Sequence, residues 1–319
     1  MNFFLKWKLT IILASIFVIC FLVFIYLLLS APMAFPTNTI YTVEKGEGLS
    51  LLSVDLANKN IIKSPFLFKV FSVLVGGTKG VMAGDYALAY KQNTISMAIR
   101  FSKGEFGLTP MRITFREGLN VFEIATLISI KFIKSDPEYF IKLASSSEGY
   151  LFPDTYLFLP NASSEDILRK MRSVFFEKIS TLDTEISNFN KPLPDIIKMA
   201  SIVEEEARTF ESKQIVAGIL WKRLAIGMPL QVDASFKYIN GKATKDLTTN
   251  DLKIDSPYNT YVYKGLPPTP IANPGLVSIK ATVTPIKTDY LYFLTDKKGE
   301  MHYAKTYSKH LQNKQLYLE

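Results

Sequence analysis

Cysteine and histidine are nearly absent from this 319-residue chain, which has one Cys and two His. The single cysteine, Cys20, excludes an internal disulfide framework and a cysteine-based metal site. His302 and His310 have no carboxylate or cysteine at ligand spacing. We therefore predict no metal site and no cofactor.

Clustered positive charge and nucleotide-binding motifs are also lacking. The net charge is +8, yet the basic residues are spread thinly and rarely more than two are adjacent. Because nucleic-acid-binding proteins concentrate such charge, we predict no nucleic-acid partner. No GxGxxG, Walker, GxSxG or HExxH motif occurs. The charge excess suits anionic surroundings such as a membrane face or a cell-wall polymer.

One long apolar segment lies near the N-terminus. Residues 9–29 contain no charge and no proline, and a helix of this length crosses roughly 30 Å of hydrocarbon. Lys6 and Lys8 precede it, and the next basic residue is Lys45. We predict a cytoplasmic stretch over 1–8, a transmembrane helix over 9–29 and an external remainder. A cleaved signal peptide is the alternative, but it would have a shorter apolar region and a small-x-small cleavage site.

An internal repeat follows. Segments recur in the same order at offsets of 70 or 71 residues: Glu47–Ser50 with Glu117–Asn120, Ile62–Ser64 with Ile133–Ser135, and Gly84–Tyr86 with Asp154–Tyr156. This pattern predicts two related units, 39–108 and 111–178, each with a strand, a glycine turn, two helices and a second strand. The opening of the first unit, Tyr41–Ser50, resembles a LysM carbohydrate-binding module. A plain α+β packing domain is the alternative for this unit.

A helix with three consecutive glutamates begins the last third of the chain. From Asp195 to about Arg208 the spacing predicts an amphipathic helix. Glu204 and Glu206 border its apolar stripe, whereas Glu205 points with Lys198 to the opposite face. Partial burial and acidic neighbours raise the pKa of a carboxyl group, as a general acid requires. Periodicity does not choose between Glu204 and Glu206, and an ordinary solvated charge run is the alternative.

Several motifs together resemble the endolytic murein transglycosylase (YceG-like) family. They are Glu148–Tyr156, Ser201–Ala207, Leu230–Asp233, Pro257–Tyr261, Gly265–Pro268, Ile271, Asn273–Gly275 and Tyr290–Phe293. The resemblance spans about residue 41 to His310, with Val232 where the family usually has Thr. It implies an α+β fold made of an N-terminal transmembrane helix, a LysM-like α/β module and a mixed α+β catalytic domain over 190–319. The second repeat unit, 111–178, belongs to the catalytic region.

The resemblance also implies an activity. A membrane-anchored lytic transglycosylase cleaves the MurNAc–GlcNAc bond within peptidoglycan strands and leaves 1,6-anhydro ends. The implied catalytic residue is Glu204, the first acidic residue after Ser-Ile-Val. The residues expected to bind substrate or frame the groove are Gln231, Asp233, Tyr258, Asn259, Tyr261, Glu148 and Asp154.

The implied location is the bacterial cytoplasmic membrane, with the catalytic domain outside the cytoplasm. The implied partners are peptidoglycan glycan strands together with penicillin-binding proteins and other cell-wall synthases, beside which the enzyme would terminate nascent strands. Two other functions are consistent with the residues: a non-catalytic glycan-binding scaffold, and a lysozyme-like hydrolase that uses Asp233 or another carboxylate to activate water.

Overall fold

A computed structural model describes residues 2–76, 80–132, 135–242 and 246–318 of the chain. The chain divides into two compact units, Met1–Pro110 and Met111–Glu319. The boundary falls between the two predicted repeat units. The second unit holds both the second repeat and the predicted catalytic region.

The first unit is a long helix followed by a small α/β module. Its elements are α1 (Asn2–Leu29), β1 (Thr39–Val43), α2 (Leu49–Asn58), α3 (Pro65–Gly76), β2 (Gly84–Leu88) and α4 (Thr94–Lys103). Within α1, Thr10–Leu29 is long and apolar enough to cross a membrane.

Aromatic packing forms the core of the α/β module. Strands β1 and β2 pair antiparallel, with Tyr41 opposite Tyr86. Tyr86 stacks on Phe101 of α4 at 3.9 Å between ring centroids, and Phe68 of α3 meets the same ring edge-on. The packing of these rings accounts for the apolar positions of the module, which recur every second residue in the strands and every three or four residues in the helices.

The second unit is larger and mostly helical. Its elements are β3 (Met111–Thr114), α5 (Val121–Lys131), α6 (Pro137–Ala144), β4 (Thr155–Phe158), α7 (Ser164–Ser180), α8 (Asp183–Phe189), α9 (Leu193–Glu206), α10 (Phe210–Ala225), α11 (Ala234–Asn240), α12 (Leu276–Val283), β5 (Tyr292–Thr295), β6 (Met301–Ala304) and α13 (Tyr307–Tyr317).

The start of the second unit repeats the element order of the first. Both run strand, helix, helix, strand, helix, and β3 pairs antiparallel with β4 as β1 does with β2. Of the repeated sequence segments, Ile133 and Lys134 lie outside the described residues. With β5 and β6, the described residues form three two-stranded antiparallel sheets. The α+β class is confirmed, while the LysM-like character of the first unit stays a prediction.

Helix α9 carries the three glutamates and is the central helix of the second unit. It packs against α10 and α12, and its predicted stripe of Ile196, Met199, Ala200 and Val203 is fully buried. The helix begins at Leu193 rather than at Asp195, because Pro194 lies in the first turn, where a missing N–H costs no hydrogen bond. It ends at Glu206, so the glutamates form its last turn.

A buried asparagine connects the second repeat to the loop before α12. Asn273 Oδ1 accepts a hydrogen bond from the backbone N–H of Leu151, and Asn273 Nδ2 donates to the Leu119 carbonyl and to Glu148 Oε1. The backbone N–H of Asn273 also donates to Leu119 O at 3.0 Å. These contacts join segments more than 120 residues apart in the chain.

Glu148 completes this buried connection. Its Oε2 accepts from the backbone N–H of Val121, the first residue of α5, at 2.9 Å. Burial raises the pKa of Glu148 to about 7, although its hydrogen bonds favour the charged form. The pair Glu148–Asn273 therefore determines the position of the loop that precedes α12.

Asn273→Ala should lower the free energy of unfolding by about 2–4 kcal/mol, because it leaves buried donors and acceptors without partners. Urea unfolding in detergent, followed by circular dichroism, measures this change. Asn188→Ala, at an exposed position of α8, is the matched control. Equal stability of the two variants would contradict the structural role of Asn273.

Candidate functional site

Glu204, in the last turn of α9, lies at the centre of the site. Its side chain is only 8% exposed. Lys213 Nζ, from α10, donates to Glu204 Oε1 at 2.7 Å, and the backbone N–H of Gly275 donates to Glu204 Oε2 at 2.8 Å. Lys213 is also buried and donates to Ser278 Oγ at 2.6 Å. Both carboxyl oxygens are therefore held by donors from separate elements.

A second carboxyl group, Glu117, lies beside this ion pair. It comes from the turn after β3, and its Oε1 is so close to Gly275 that an added Cβ there would lie 1.7 Å away. Burial and the charge of Glu204 raise the pKa of Glu117, against the opposing effect of Lys213. Residue 275 must therefore be glycine for its N–H to reach Glu204 while Glu117 packs against its Cα.

Glu205 lies nearer the site than its helical projection indicated. Its side chain is 22% exposed and lines the same cleft as Glu204. It packs over Gly118, where an added Cβ would lie 2.4 Å from Glu205 Oε1. Burial raises the pKa of Glu205, although Lys237 Nζ lies 3.7 Å away. Glu205 is the most exposed of the three glutamates, as its helical projection predicted, although the turn after β3 covers part of its side chain.

Glu206 belongs to a separate polar cluster at the end of α9. Burial, with the nearby charge of Asp233, raises the pKa of Glu206 to about 7, while a hydrogen bond from the Ala234 backbone lowers it. Tyr261 donates from its hydroxyl to Asp233 Oδ1 at 2.6 Å. This cluster of carboxyl and phenol groups lies along the cleft from Glu204.

A cleft of about 1290 Å³ contains all three glutamates. This volume exceeds the roughly 300–1,000 Å³ of typical small-molecule sites. The cleft is lined by polar and aromatic side chains, among them Glu117, Glu204, Glu205, Glu206, Arg208, Gln231, Asp233, Tyr261, Tyr292, Tyr303 and Tyr307. Four predicted site residues thus share one surface: Glu204, Gln231, Asp233 and Tyr261.

The other four predicted site residues do not line this cleft. The hydroxyl oxygen of Tyr258 lies 2.9 Å from Thr269 Oγ1. Buried Asn259 donates from its side-chain amide to two backbone carbonyls of the preceding segment. Buried Glu148 binds Asn273, and exposed Asp154 accepts from the adjacent backbone N–H. The hydrogen bonds of these four residues therefore stabilise loops and turns.

Sequence reasoning missed Lys213 and Glu117. A usable signal existed for Lys213, because it lies on the same helical stripe as buried Val216, Ala217 and Leu220. A lysine on an apolar stripe needs a buried partner. Glu117 belongs to the repeated Glu-Gly-Leu segment, and its local sequence does not indicate that it reaches α9.

The arrangement supports one type of chemistry. A carboxyl group held by two donors, in a long polar cleft rich in aromatic rings, suits acid–base cleavage of an extended polar substrate. The geometry of the site is therefore compatible with acid–base chemistry.

Comparison with known proteins agrees with this chemistry. The chain matches the YceG-like family over residues 41–316 and belongs to that family. It is 32% identical over 309 residues to the endolytic murein transglycosylase of Bacillus subtilis (strain 168), covering 88% of this chain and 85% of that protein. It is also 33% identical over 172 residues to the endolytic murein transglycosylase of Streptococcus pneumoniae serotype 2 (strain D39), covering 52% of this chain and 31% of that protein.

A solved structure is similar as well. The crystal structure of a yceG-like protein from Listeria monocytogenes aligns with a TM-score of 0.56 and 28% identity, covering 86% of this chain and 98% of that one. The family resemblance read from the motifs is confirmed, and the chain is assigned to the lytic transglycosylase class of enzymes.

The environment of Glu206 generates a prediction about pH. The pKa of Glu206 is raised from about 4.5 to about 7 in the folded state. Protonated Glu206 therefore favours folding, and this contribution to the free energy of unfolding is fully present below pH 4.5. That effect is lost as the pH rises through 7. Glu206→Gln removes this loss, so relative to the unmodified chain it should gain up to about 3 kcal/mol between pH 4.5 and pH 8.5.

Urea unfolding at several pH values tests this prediction. Glu300→Gln, which removes an exposed carboxyl of the same cleft, is the control. If the stability curves of Glu206→Gln and Glu300→Gln run parallel across the range, Glu206 does not titrate near neutral pH.

Proposed function

We propose that this chain is a membrane-anchored endolytic transglycosylase that cuts the MurNAc–GlcNAc bond inside peptidoglycan strands. The observation that carries the proposal is the cleft position of Glu204, held by Lys213 and by the Gly275 N–H. The names of the family relatives supply the class of substrate.

The reaction needs only one catalytic carboxyl group. Most glycosidases use a second carboxylate as nucleophile or base, whereas here the C6 hydroxyl of the muramyl residue is the nucleophile. Glu204 donates a proton to the glycosidic oxygen as the bond from C1 to that oxygen breaks. Its carboxylate then accepts the proton of the C6 hydroxyl as the bond from C1 to O6 closes the 1,6-anhydro ring. Glu204 enters this cycle protonated, so the carboxylate of the resting ion pair with Lys213 takes up one proton before the first step. The second step returns that proton, and water is not consumed.

The donors around Glu204 contribute by positioning. Lys213 and Gly275 determine the plane of the carboxyl group before substrate enters, so little reorganisation is needed during proton transfer. The buried ammonium of Lys213 also compensates the carboxylate formed after the first step. Lys213 therefore acts through Glu204 and is a positioning residue.

Residues along the cleft are proposed to bind the glycan. Gln231, Asp233 and Tyr261 present amide, carboxyl and phenol groups to the same space as Glu204, and these suit sugar hydroxyl and N-acetyl groups. Aromatic faces such as Tyr292 can pack on the apolar side of a pyranose. We assign Tyr258, with Asn259, Glu148 and Asp154, to supporting this wall rather than to direct contact.

The module over 39–108 is proposed as a second contact for the strand. A groove of about 630 Å³ runs along β1 and α2, and its wall includes Tyr41, Asp55 and Lys59. Tyr41 donates from its hydroxyl to Asp55 Oδ2 at 2.6 Å, and Lys59 binds the same carboxylate. Together with the LysM-like opening Tyr41–Ser50, the polar side chains of this groove support the proposal that it binds glycan away from the cleavage point.

The cellular setting is part of the same proposal. Thr10–Leu29 would anchor the chain in the bacterial cytoplasmic membrane, and the lysines before it favour a cytoplasmic N-terminus. The catalytic unit would then meet nascent strands outside the cytoplasm beside penicillin-binding proteins and other synthases, where cleavage would end strand elongation.

Glu204→Gln should lower cleavage by roughly 10²–10⁴-fold, since the amide cannot donate and regain a proton. The change also leaves the buried Lys213 ammonium without its carboxylate partner, so circular dichroism must first show that the variant is folded. The measurement is mass spectrometry of the sugar ends released from isolated glycan strands. If the unmodified chain produces 1,6-anhydro ends, it is a transglycosylase. Reducing ends would indicate a hydrolase, and uncut glycan would indicate a non-catalytic scaffold.

Glu206→Gln is the matched control, because it removes a carboxyl of the same helix turn. It should retain cleavage within about tenfold, well short of the loss expected for a general acid–base residue. Loss of activity in Glu206→Gln with retention in Glu204→Gln would move the catalytic assignment to Glu206.

Lys213→Met should destabilise the fold by about 3–5 kcal/mol, because it leaves the buried Glu204 carboxylate without its partner. The double variant Lys213→Met/Glu204→Gln should recover much of this loss, since no buried charge is then unpaired. Urea unfolding of the two single variants and the double variant gives the coupling energy. Strictly additive effects would show that the pair is not coupled.

A further inference from the structure

Helix α3 of the first unit is apolar on its outer face as well as on its buried face. Phe68 and Ser72 point into the core, while Phe66, Val73 and Leu74 are 69%, 53% and 73% exposed. Phe66 and Val73 lie seven residues apart and share one helical stripe with Val70. Surface helices normally carry polar residues on this side.

An exposed apolar stripe of this kind is stabilised by contact with another apolar surface. Contiguous apolar patches on soluble surfaces mark sites of interaction. Lys69 is the one charged residue within α3. The outer face of α3 is therefore poorly suited to water.

The hydrogen bonds of the preceding segment show what lies near this face. Lys63, two residues before α3 begins, donates from Nζ to the Leu27 carbonyl at 3.1 Å and to Ser30 Oγ at 2.7 Å. These acceptors are a residue of the last turn of α1, the apolar helix that can cross a membrane, and the residue that directly follows that helix. The start of α3 is therefore held against the last turn of that helix.

The segment between α1 and β1 is attached to the module as well. Phe35 is buried in the module's core, and Lys91 Nζ donates to the Met33 carbonyl at 2.8 Å. A loose tether would allow the module to leave the membrane surface, but this segment is packed and hydrogen-bonded. The module must therefore stay close to the point where α1 leaves the hydrocarbon.

We propose that the outer face of α3, formed by Phe66, Val70, Val73 and Leu74, lies in the interface of the lipid bilayer that α1 crosses. The inference rests on the proposed anchoring role of α1. The apolar side chains enter the boundary of the acyl chains, as in helices that lie along a membrane surface. Lys69 can extend to lipid headgroups. The module is then held on the membrane surface rather than hanging from a flexible stalk.

The experiment uses the full chain reconstituted in phosphatidylcholine–phosphatidylglycerol vesicles. A polarity-sensitive fluorophore is attached to one cysteine at a time: native Cys20, or Phe66→Cys, Val73→Cys or Tyr90→Cys in a Cys20→Ser background. Tyr90 is the control, because it is an exposed aromatic residue of the same module outside α3. Quenching by nitroxide groups on the lipid chains reports contact with the bilayer.

We expect the probes at residues 66 and 73 to be quenched to similar extents, at least threefold more than the probe at residue 90. Similar quenching at both sites indicates a helix parallel to the surface. Quenching at residue 66 or 73 no greater than at residue 90 would overturn the proposal. A blue-shifted but unquenched probe would also overturn it, because a protein partner would then cover the face.

The probe at Cys20 separates this proposal from the anchoring proposal. Strong quenching there with none at residues 66 and 73 means that α1 is inserted and only the α3 inference fails. Absence of quenching at Cys20 means that the anchor itself is not inserted, which contradicts both proposals.

Discussion

The ion pair between Glu204 and Lys213 is the interaction on which the packing of the second unit depends. Both side chains are almost fully buried, and a buried charge is tolerated only with a well-placed partner and further hydrogen bonds. The Gly275 N–H and the Ser278 hydroxyl supply those bonds. The requirement to satisfy this pair draws α9, α10 and the start of α12 to one point.

Around that point, secondary contacts determine the geometry. Asn273 and Glu148 connect the second repeat to the loop that presents Gly275, and Glu117 packs against the glycine from the opposite side. The second repeat thus packs into the same unit as the candidate site, whereas the first repeat packs its own core. The two repeats share one element order but differ in their surroundings, because only the second repeat is followed by the helices that carry the carboxyl groups.

Much of the fold was readable from local pattern. The apolar segment before residue 30, the strand–helix order of the repeats and the stripe of α9 all follow from periodicities that act within a few turns. The site was readable only in part. Helical periodicity places Glu204 and Glu206 equally close to the apolar stripe of α9, and only the family resemblance favours Glu204 as the catalytic residue. Their surroundings in the structure differ, since Glu204 meets Lys213 and Gly275 whereas Glu206 meets Asp233 and Ala234.

The sequence by itself determined the α+β class, the apolar N-terminal helix, the repeat and, through its motifs, the family. Only the tertiary structure decided which side chains surround Glu204. Its partners are 9 and 71 residues away along the chain, and no local periodicity reports such distances. The structure also decided that Glu205 lines the cleft and that α3 leaves an apolar face uncovered. Each of these depends on which other segment packs over the helix, and that follows from the packing of the whole unit.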